Sequence, residues 1–361
     1  MRKQIIPLTI ASLTLLMLSA SCHKPQAIGT FNVCSLNVDG LPAKILVVDV
    51  NPDGPADTYT PLISQYLSLK AFDFIGVQEN FHYNDLLCSY LNAGYNHDPW
   101  AGDIMIDPTM LKGLNATALL STALQTLYSS GLDDLLSDLK LPADGLNAFW
   151  KQGITLTASD RVAWNTSFGK LDHANDDLAT KGFRRYELTL ENSVKVVVYN
   201  MHMDASDTQD ELSGADQPDR QARLAQWRQL RDHIMRNLDR RPIVVMGDLN
   251  SYYERDSVKA VFIDPINASG EATCADAWIE LTRGGHYPAV TGAAITADDG
   301  AEGWQHQNET LDKILYINPT SGYRLTPTAA TLDTRQYRRP DGKPFGDHFP
   351  LAVTFDITLD E

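Results

Sequence analysis

The chain has 361 residues, 43% of them hydrophobic, enough for one large packed domain or two ordinary ones. Asp and Glu number 46 against 30 Lys and Arg, a formal charge of −16. That balance weighs against a protein that wraps long nucleic acids, whose affinity comes mostly from Lys and Arg on phosphates, so no stable nucleic-acid binding is expected. It does not exclude a nuclease, because a bound cation inverts the local field.

Met1-Arg2-Lys3 precedes an apolar run from Ile5 to Ala20, too short for a comfortable membrane span. A charged start, a short apolar stretch and small residues before Cys22 predict a signal peptide over 1–21, of the bacterial lipoprotein type, although Ser19 stands where the usual motif has Leu. Cys22 would then carry lipid, residues 22–29 would be a tether, and the chain would be exported and anchored at an outer membrane or cell surface. Cys34, Cys88 and Cys274 would remain, permitting at most one disulfide; without zinc-type spacing, all three are expected as small buried residues.

No repeats or low-complexity tracts interrupt 30–361, so one catalytic domain is expected there. Residues 31–38 alternate apolar with small or polar side chains, predicting a strand that ends at the turn Asp39-Gly40 with Asn37 at its end. A helix over 62–69 and a strand over 72–79 follow, with Glu79 at the strand's carboxyl end. The stretch 111–142 is Leu-rich and reads as a helical insertion, either packed on a sheet or covering the site or a lipid surface. A β-branched strand over 194–202 delivers His202. Arg220 to Leu238 places Leu224, Trp227, Leu230, Ile234 and Leu238 on one helical face, and a strand over 242–248 delivers Asp248. Strands are also predicted at 310–316 and after Asp347-His348.

Gly247-Asp248-Leu249-Asn250-Ser251 is the sharpest local signal, since a strand points two oxygen-bearing side chains on alternate residues the same way. Hard divalent cations want such oxygens; Mg²⁺ takes a few, keeps water and joins substrate phosphate. Asn37 and Glu79 offer matching groups from other strand ends. Alone, each would be read as a turn cap. His202 and His348 sit beside acidic residues, an arrangement suited to dividing acid–base work, and Asp312 is the candidate orienter of His348.

Leu36-Asn37-Val38, Gln78-Glu79-Asn80, Asn200-Met201-His202, Gly247-Asp248-Leu249-Asn250, Leu311-Asp312-Lys313 and Gly346-Asp347-His348-Phe349-Pro350 resemble, in order, the motifs of the endonuclease/exonuclease/phosphatase superfamily of metal-dependent phosphoesterases. The resemblance spans roughly 30–356. It implies a DNase-I-like α/β fold, a four-layer sandwich of two mixed β-sheets flanked by helices. It also implies a metal, Mg²⁺ with Mn²⁺ or Ca²⁺ as alternatives, at Asn37 and Glu79 with Asp347 nearby. Asp312 and His348 would form the base, Asp248 and Asn250 the phosphate site, and His202 would bind or protonate phosphate.

Asp177-Leu178-Ala179-Thr180-Lys181-Gly182-Phe183 is similar to the Asp…Ala-x-Lys-Gly element of neutral and secreted bacterial sphingomyelinases, which implies Lys181 on substrate phosphate or bracing the metal. The segment from His202 to Ser206 is similar to their His-Leu-Gln-Ala region. Asp204 in place of Gln, and Lys313 where an aromatic is common, are departures. The resemblance implies a monomer acting on a phospholipid at a membrane surface. A nuclease or soluble phosphate-ester hydrolase on the same fold is the alternative, and a binding lipoprotein without activity is the third reading.

Overall fold

Alternation of side chains along each strand decides where the site can form. The structure is a computed structural model that describes residues 26–45, 48–49, 51–103, 143–168, 179–206, 217–288 and 310–360. The expected signal peptide, Cys22 and the Leu-rich stretch 111–142 lie outside the described residues.

In chain order the elements are β1 (Gly29–Asn37), a short hairpin of β2 (Lys44–Ile45) and β3 (Val48–Asp49), α1 (Ala56–Lys70), β4 (Phe74–Gln78), α2 (Asn84–Leu91), β5 (Tyr95–His97) and β6 (Asn147–Lys151). Then come β7 (Thr155–Ala163), β8 (Gly182–Thr189), β9 (Lys195–His202), α3 (Gln217–Arg236) and β10 (Ile243–Asp248). A π-helical turn (Lys259–Ile263) runs into α4 (Asp264–Ala268), followed by β11 (Ala272–Asp276), α5 (Ala277–Arg283), β12 (Asp312–Pro319), β13 (Gly322–Leu332) and β14 (Leu351–Asp360).

Two six-stranded sheets result, ordered β13-β14-β1-β4-β6-β5 and β11-β12-β10-β9-β8-β7. Both are mixed: β1 runs parallel to β4, and β9 parallel to β10, while the other pairings are antiparallel. The expected two-sheet sandwich is what the chain forms.

Three apolar clusters separate the layers. Phe31, Val33 and Phe74 of the first sheet meet Tyr186, Val196, Val198, Val244, Met246 and Ile314 of the second, so these residues form the core between the sheets. Their neighbours in sequence face outward: Cys34, Leu36, Ile75 and Val77 pack with Ile63 and Leu67 of α1 and Leu87 of α2. On the far side Val197, Tyr199, Met201 and Val245 pack with Trp227, Leu230 and Ile234 of α3. The helix face expected from the sequence is thus the buried one, with Leu224 and Leu238 only half-buried at its margins. Cys34, Cys88 and Cys274 are free and buried, as expected for small core residues.

Candidate active site

Because side chains alternate with a period of two, each inward row can be followed to its end. Phe31 and Val33 continue as Ser35 and Asn37; Val196 and Val198 continue as Asn200 and His202; Val244 and Met246 continue as Asp248; Ile314 is preceded by Asp312. Every row turns from apolar to polar at the same edge of the sandwich. Registers of Asp248 with both His202 and Asp312 put three of these groups side by side on the second sheet.

Glu79 breaks the alternation. Following Gln78, it would point outward in a regular strand, but it sits at φ 56°. This left-handed backbone is unfavourable for a side chain with a Cβ and costs on the order of 1 kcal/mol. The kink turns the carboxylate inward, where Asn37 Nδ2 donates to Glu79 Oε1 at 2.9 Å and to Asp248 Oδ2 at 3.0 Å. Asn37 therefore ties a carboxylate of each sheet together. Its Oδ1 accepts from the Asp39 backbone N–H at 2.9 Å, so Asn37 braces the two carboxylates through its amide nitrogen.

From the loop that leads into β14 of the first sheet, His348 reaches across to the second: its Nδ1 lies 2.8 Å from Asp312 Oδ2, and its Nε2 lies 3.5 Å from Asp248 Oδ2. Burial works to lower the His348 pKa, but Asp312, Asp248 and Asp347 outweigh it and hold the imidazole well above its ordinary value. His202 has the opposite environment. Its Nε2 stands 3.2 Å from Lys181 Nζ, 3.4 Å from Asp248 Oδ2 and 3.9 Å from Glu79 Oε1. Burial, aided by the Lys181 charge, brings its pKa down to about 3. Burial and Lys181 thus favour the neutral imidazole at His202. Trp164 Nε1 fixes the strand beneath it by donating to the His202 carbonyl at 2.7 Å.

The open side of the site is crowded with carboxylates. Burial and the charges of Asp347 and Glu79 push Asp39 up to about 8, and burial and Asp347 raise Glu79. A Cβ on Gly346 would fall 2.9 Å from the Asp39 Cβ, so glycine at 346 is what lets the loop before His348 approach Asp39 so closely. Asp39, Glu79 and Asp347, the last with a side chain 67% exposed, therefore repel one another, and carboxylate oxygens are what a hard divalent cation takes. Glu79, His202 and Asp248 each bring an atom within 4.8 Å of the others, as do Asp248, Asp312 and His348.

The sequence reading missed Asp39, since Asp-Gly after a strand reads as a turn; the Asn37-x-Asp39 spacing, mirrored in Asp248-x-Asn250, was the available signal. Asn250 lies at the rim at φ 44°, its amide nitrogen donating to Met203 O at 3.1 Å. Asp204 is buried, accepting from Phe168 N at 2.7 Å and from Gln226 Nε2. Asp177 lies outside the described residues, so of its motif only the Ala179–Gly182 part is placed, with Lys181 in the site.

Comparison with known structures follows from this geometry. The D. rerio TDP2 structure complexed with a single-strand DNA product superposes with a TM-score of 0.56, at 14% identity over 90% of this chain and 98% of that one. Beta toxin from Staphylococcus aureus gives 0.55, at 18% identity over 90% of this chain and 99% of that one. An endonuclease/exonuclease/phosphatase family protein from Bacteroides thetaiotaomicron gives 0.50, at 14% identity over 93% and 97%.

The fold is DNase-I-like. Within it, the chain is similar in sequence to a sphingomyelinase of Mycobacterium tuberculosis and one of Mycobacterium bovis, 24% identical over 334 residues and 92% of this chain. It spans about half the length of these relatives, 54%. No family model matches the chain.

Proposed function

We propose that this chain is a divalent-cation-dependent phosphodiesterase, cleaving a sphingomyelin-like phospholipid to ceramide and a phosphorylated head group. The observation that carries the proposal is the pairing of an oriented imidazole, His348 on Asp312, with a neutral His202 beside Lys181 across the same small space. Such a set can accept a proton on one side and hold an anion on the other.

Asp39, Glu79 and Asp347 would hold the cation, with Asn37 keeping Glu79 in place. When bound, the cation supplies charge neutralisation for the phosphate and the departing oxygen. His348 takes a proton on Nε2 from the water whose oxygen attacks phosphorus, while Asp312 holds Nδ1 and stabilises the imidazolium. Lys181, His202 and Asn250 grip the non-bridging oxygens, and Asp248, between both histidines, positions water. Mg²⁺ is the proposed physiological ion and Mn²⁺ or Ca²⁺ the substitutes. Anchoring through Cys22 and action as a monomer at a membrane surface belong to the same proposal, motivated by the residues before Cys22 and the lipid named by the relatives.

A second reading, a nuclease, has one specific support: TDP2, similar in fold, is described with a DNA product. The formal charge of −16 weighs against it. The test is incubation of the purified chain with Mg²⁺, Mn²⁺, Ca²⁺ or EDTA against sphingomyelin, its ethanolamine and inositol counterparts, and plasmid DNA. Ceramide release that EDTA abolishes is the expected result. DNA cleavage without lipid turnover would replace the first reading with the second, and inactivity throughout would leave a binding protein.

A further inference from the structure

The site is assembled from two sheets, and its key contacts cross between them: Asn37 to Asp248 at 3.0 Å and Glu79 to His202 at 3.9 Å. Apolar packing holds the sheets together but is non-directional and does not by itself fix such distances. Hydrogen bonds do, since they weaken steeply with misalignment. One side chain makes three of them across the gap. Asn200 on β9, fully buried, donates through Nδ2 to Val77 O on β4 and to Asn147 O on β6, both at 3.0 Å, and its Oδ1 accepts from Gln78 Nε2 at 2.7 Å.

The partners are not arbitrary points on the first sheet. Val77 and Gln78 directly precede Glu79, and Asn80, directly after it, donates through Nδ2 to Asn147 Oδ1 at 2.9 Å. Both chain neighbours of the kinked Glu79 are therefore bound into the same amide set. On the other sheet, Asn200 lies two residues before His202 on the same inward row. Close approach is permitted by Gly76, where a Cβ would come within 2.9 Å of the Asn200 Cγ and Oδ1.

We propose that Asn200, admitted by Gly76, is a positioning residue that sets the separation of the two half-sites, holding Glu79 against His202 and Asn37 against Asp248. The phosphodiesterase reading above supplies the purpose of that alignment; the alignment itself stands on the hydrogen bonds.

The test compares Asn200→Ala and Gly76→Ala with Val198→Ala, a core truncation two residues earlier on the same inward row that leaves the amide untouched. Crystal structures give the Asn37 Nδ2 to Asp248 Oδ2 distance, calorimetric titration gives Mn²⁺ affinity, and thermal melts give stability. Asn200→Ala is expected to open the cross-sheet contact beyond hydrogen-bonding range and to weaken Mn²⁺ binding roughly ten- to hundredfold, as loss of an outer-shell support does. Gly76→Ala, which keeps every polar group and serves should Asn200→Ala fail to fold, is expected to do the same. Val198→Ala lowers the melting temperature with contact and affinity unchanged.

The proposal is overturned if Asn200→Ala or Gly76→Ala retains the 3.0 Å contact, or if its loss of Mn²⁺ affinity is no larger than that of Val198→Ala. Should the wild-type chain bind no Mn²⁺ and turn over no phosphodiester, the functional reading fails, while the crystallographic distances still decide the role of Asn200.

Discussion

The two halves of the site solve opposite electrostatic problems. At the strand ends of the second sheet the charges are paired: His348, reaching over from the loop before β14, against Asp312 and Asp248, and Lys181 against Asp248, all buried. On the first sheet, Asp39 and Glu79 meet Asp347 with repulsion that raises the pKa of both Asp39 and Glu79. One half is complete with its own residues; the other is built to receive positive charge. The contrast indicates where substitution should damage chemistry alone and where it should trade binding against stability.

The largest effect is expected on the self-paired half. His348→Ala should lower kcat/KM by roughly 10²- to 10⁴-fold, the usual worth of a positioned base, while circular dichroism remains that of the folded chain. Wild-type turnover in this variant would remove His348 from the mechanism.

Asp312→Asn should lower the rate and also move the pH profile. Carboxylates raise the His348 pKa, Asp312 first among them. Activity should therefore climb as pH rises through a value above the ordinary imidazole range, when His348 loses its proton. Without the Asp312 charge this acid limb should shift to lower pH. A limb that stays fixed would mean another group governs it.

The cation-accepting half should respond in two directions. Asp39→Asn removes a carboxylate that its neighbours repel, so the EDTA-treated protein should melt at a higher temperature than wild type. The same change should weaken Mn²⁺ affinity roughly ten- to hundredfold by calorimetry. Equal loss of both, or neither, would erase the distinction between the two halves.

The smallest effect is expected far from the site and calibrates the others. Glu187, held by Arg241 and Arg185, has its pKa lowered to about 2. Its contribution is present above the ordinary Glu pKa and is lost as pH falls through about 2. Its side chain is 21% exposed, so Glu187→Gln should cost only about 0.5–1 kcal/mol in urea melts at neutral pH, and the two proteins should converge in strong acid.

The sandwich was legible because its strands carry clear signals, alternation in 31–38 and a β-branched run in 194–202, and because polar residues at strand ends can be read without knowing which sheet they join. Glu79, His202, Asp248, Asp312 and His348 were found that way. Asp39 was not, because what sets it apart from a turn residue is the approach of Gly346 and Asp347 from the far end of the chain. Asn200 was noticed only as part of the Asn200-Met201-His202 motif and given no role, because its three partners lie on β4 and β6. The part played by Asn37 was legible as an oxygen-bearing side chain but not as an amide turned nitrogen-first, since that depends on two carboxylates meeting it. Local pattern singled most of these residues out, and long-range contact brings them together.

The pairing of β1 with β14 has a consequence in time. Asn37 and Glu79 leave the ribosome early, whereas Asp347, His348 and the strand that pairs with β1, Leu351–Asp360, emerge much later. An amino-terminal piece ending before the Asp347-His348 loop would own Asp39 and Glu79 but neither Asp347 nor the proposed base. On the proposed mechanism, a nascent chain would stay inert toward phosphodiesters until that loop and strand had joined the first sheet.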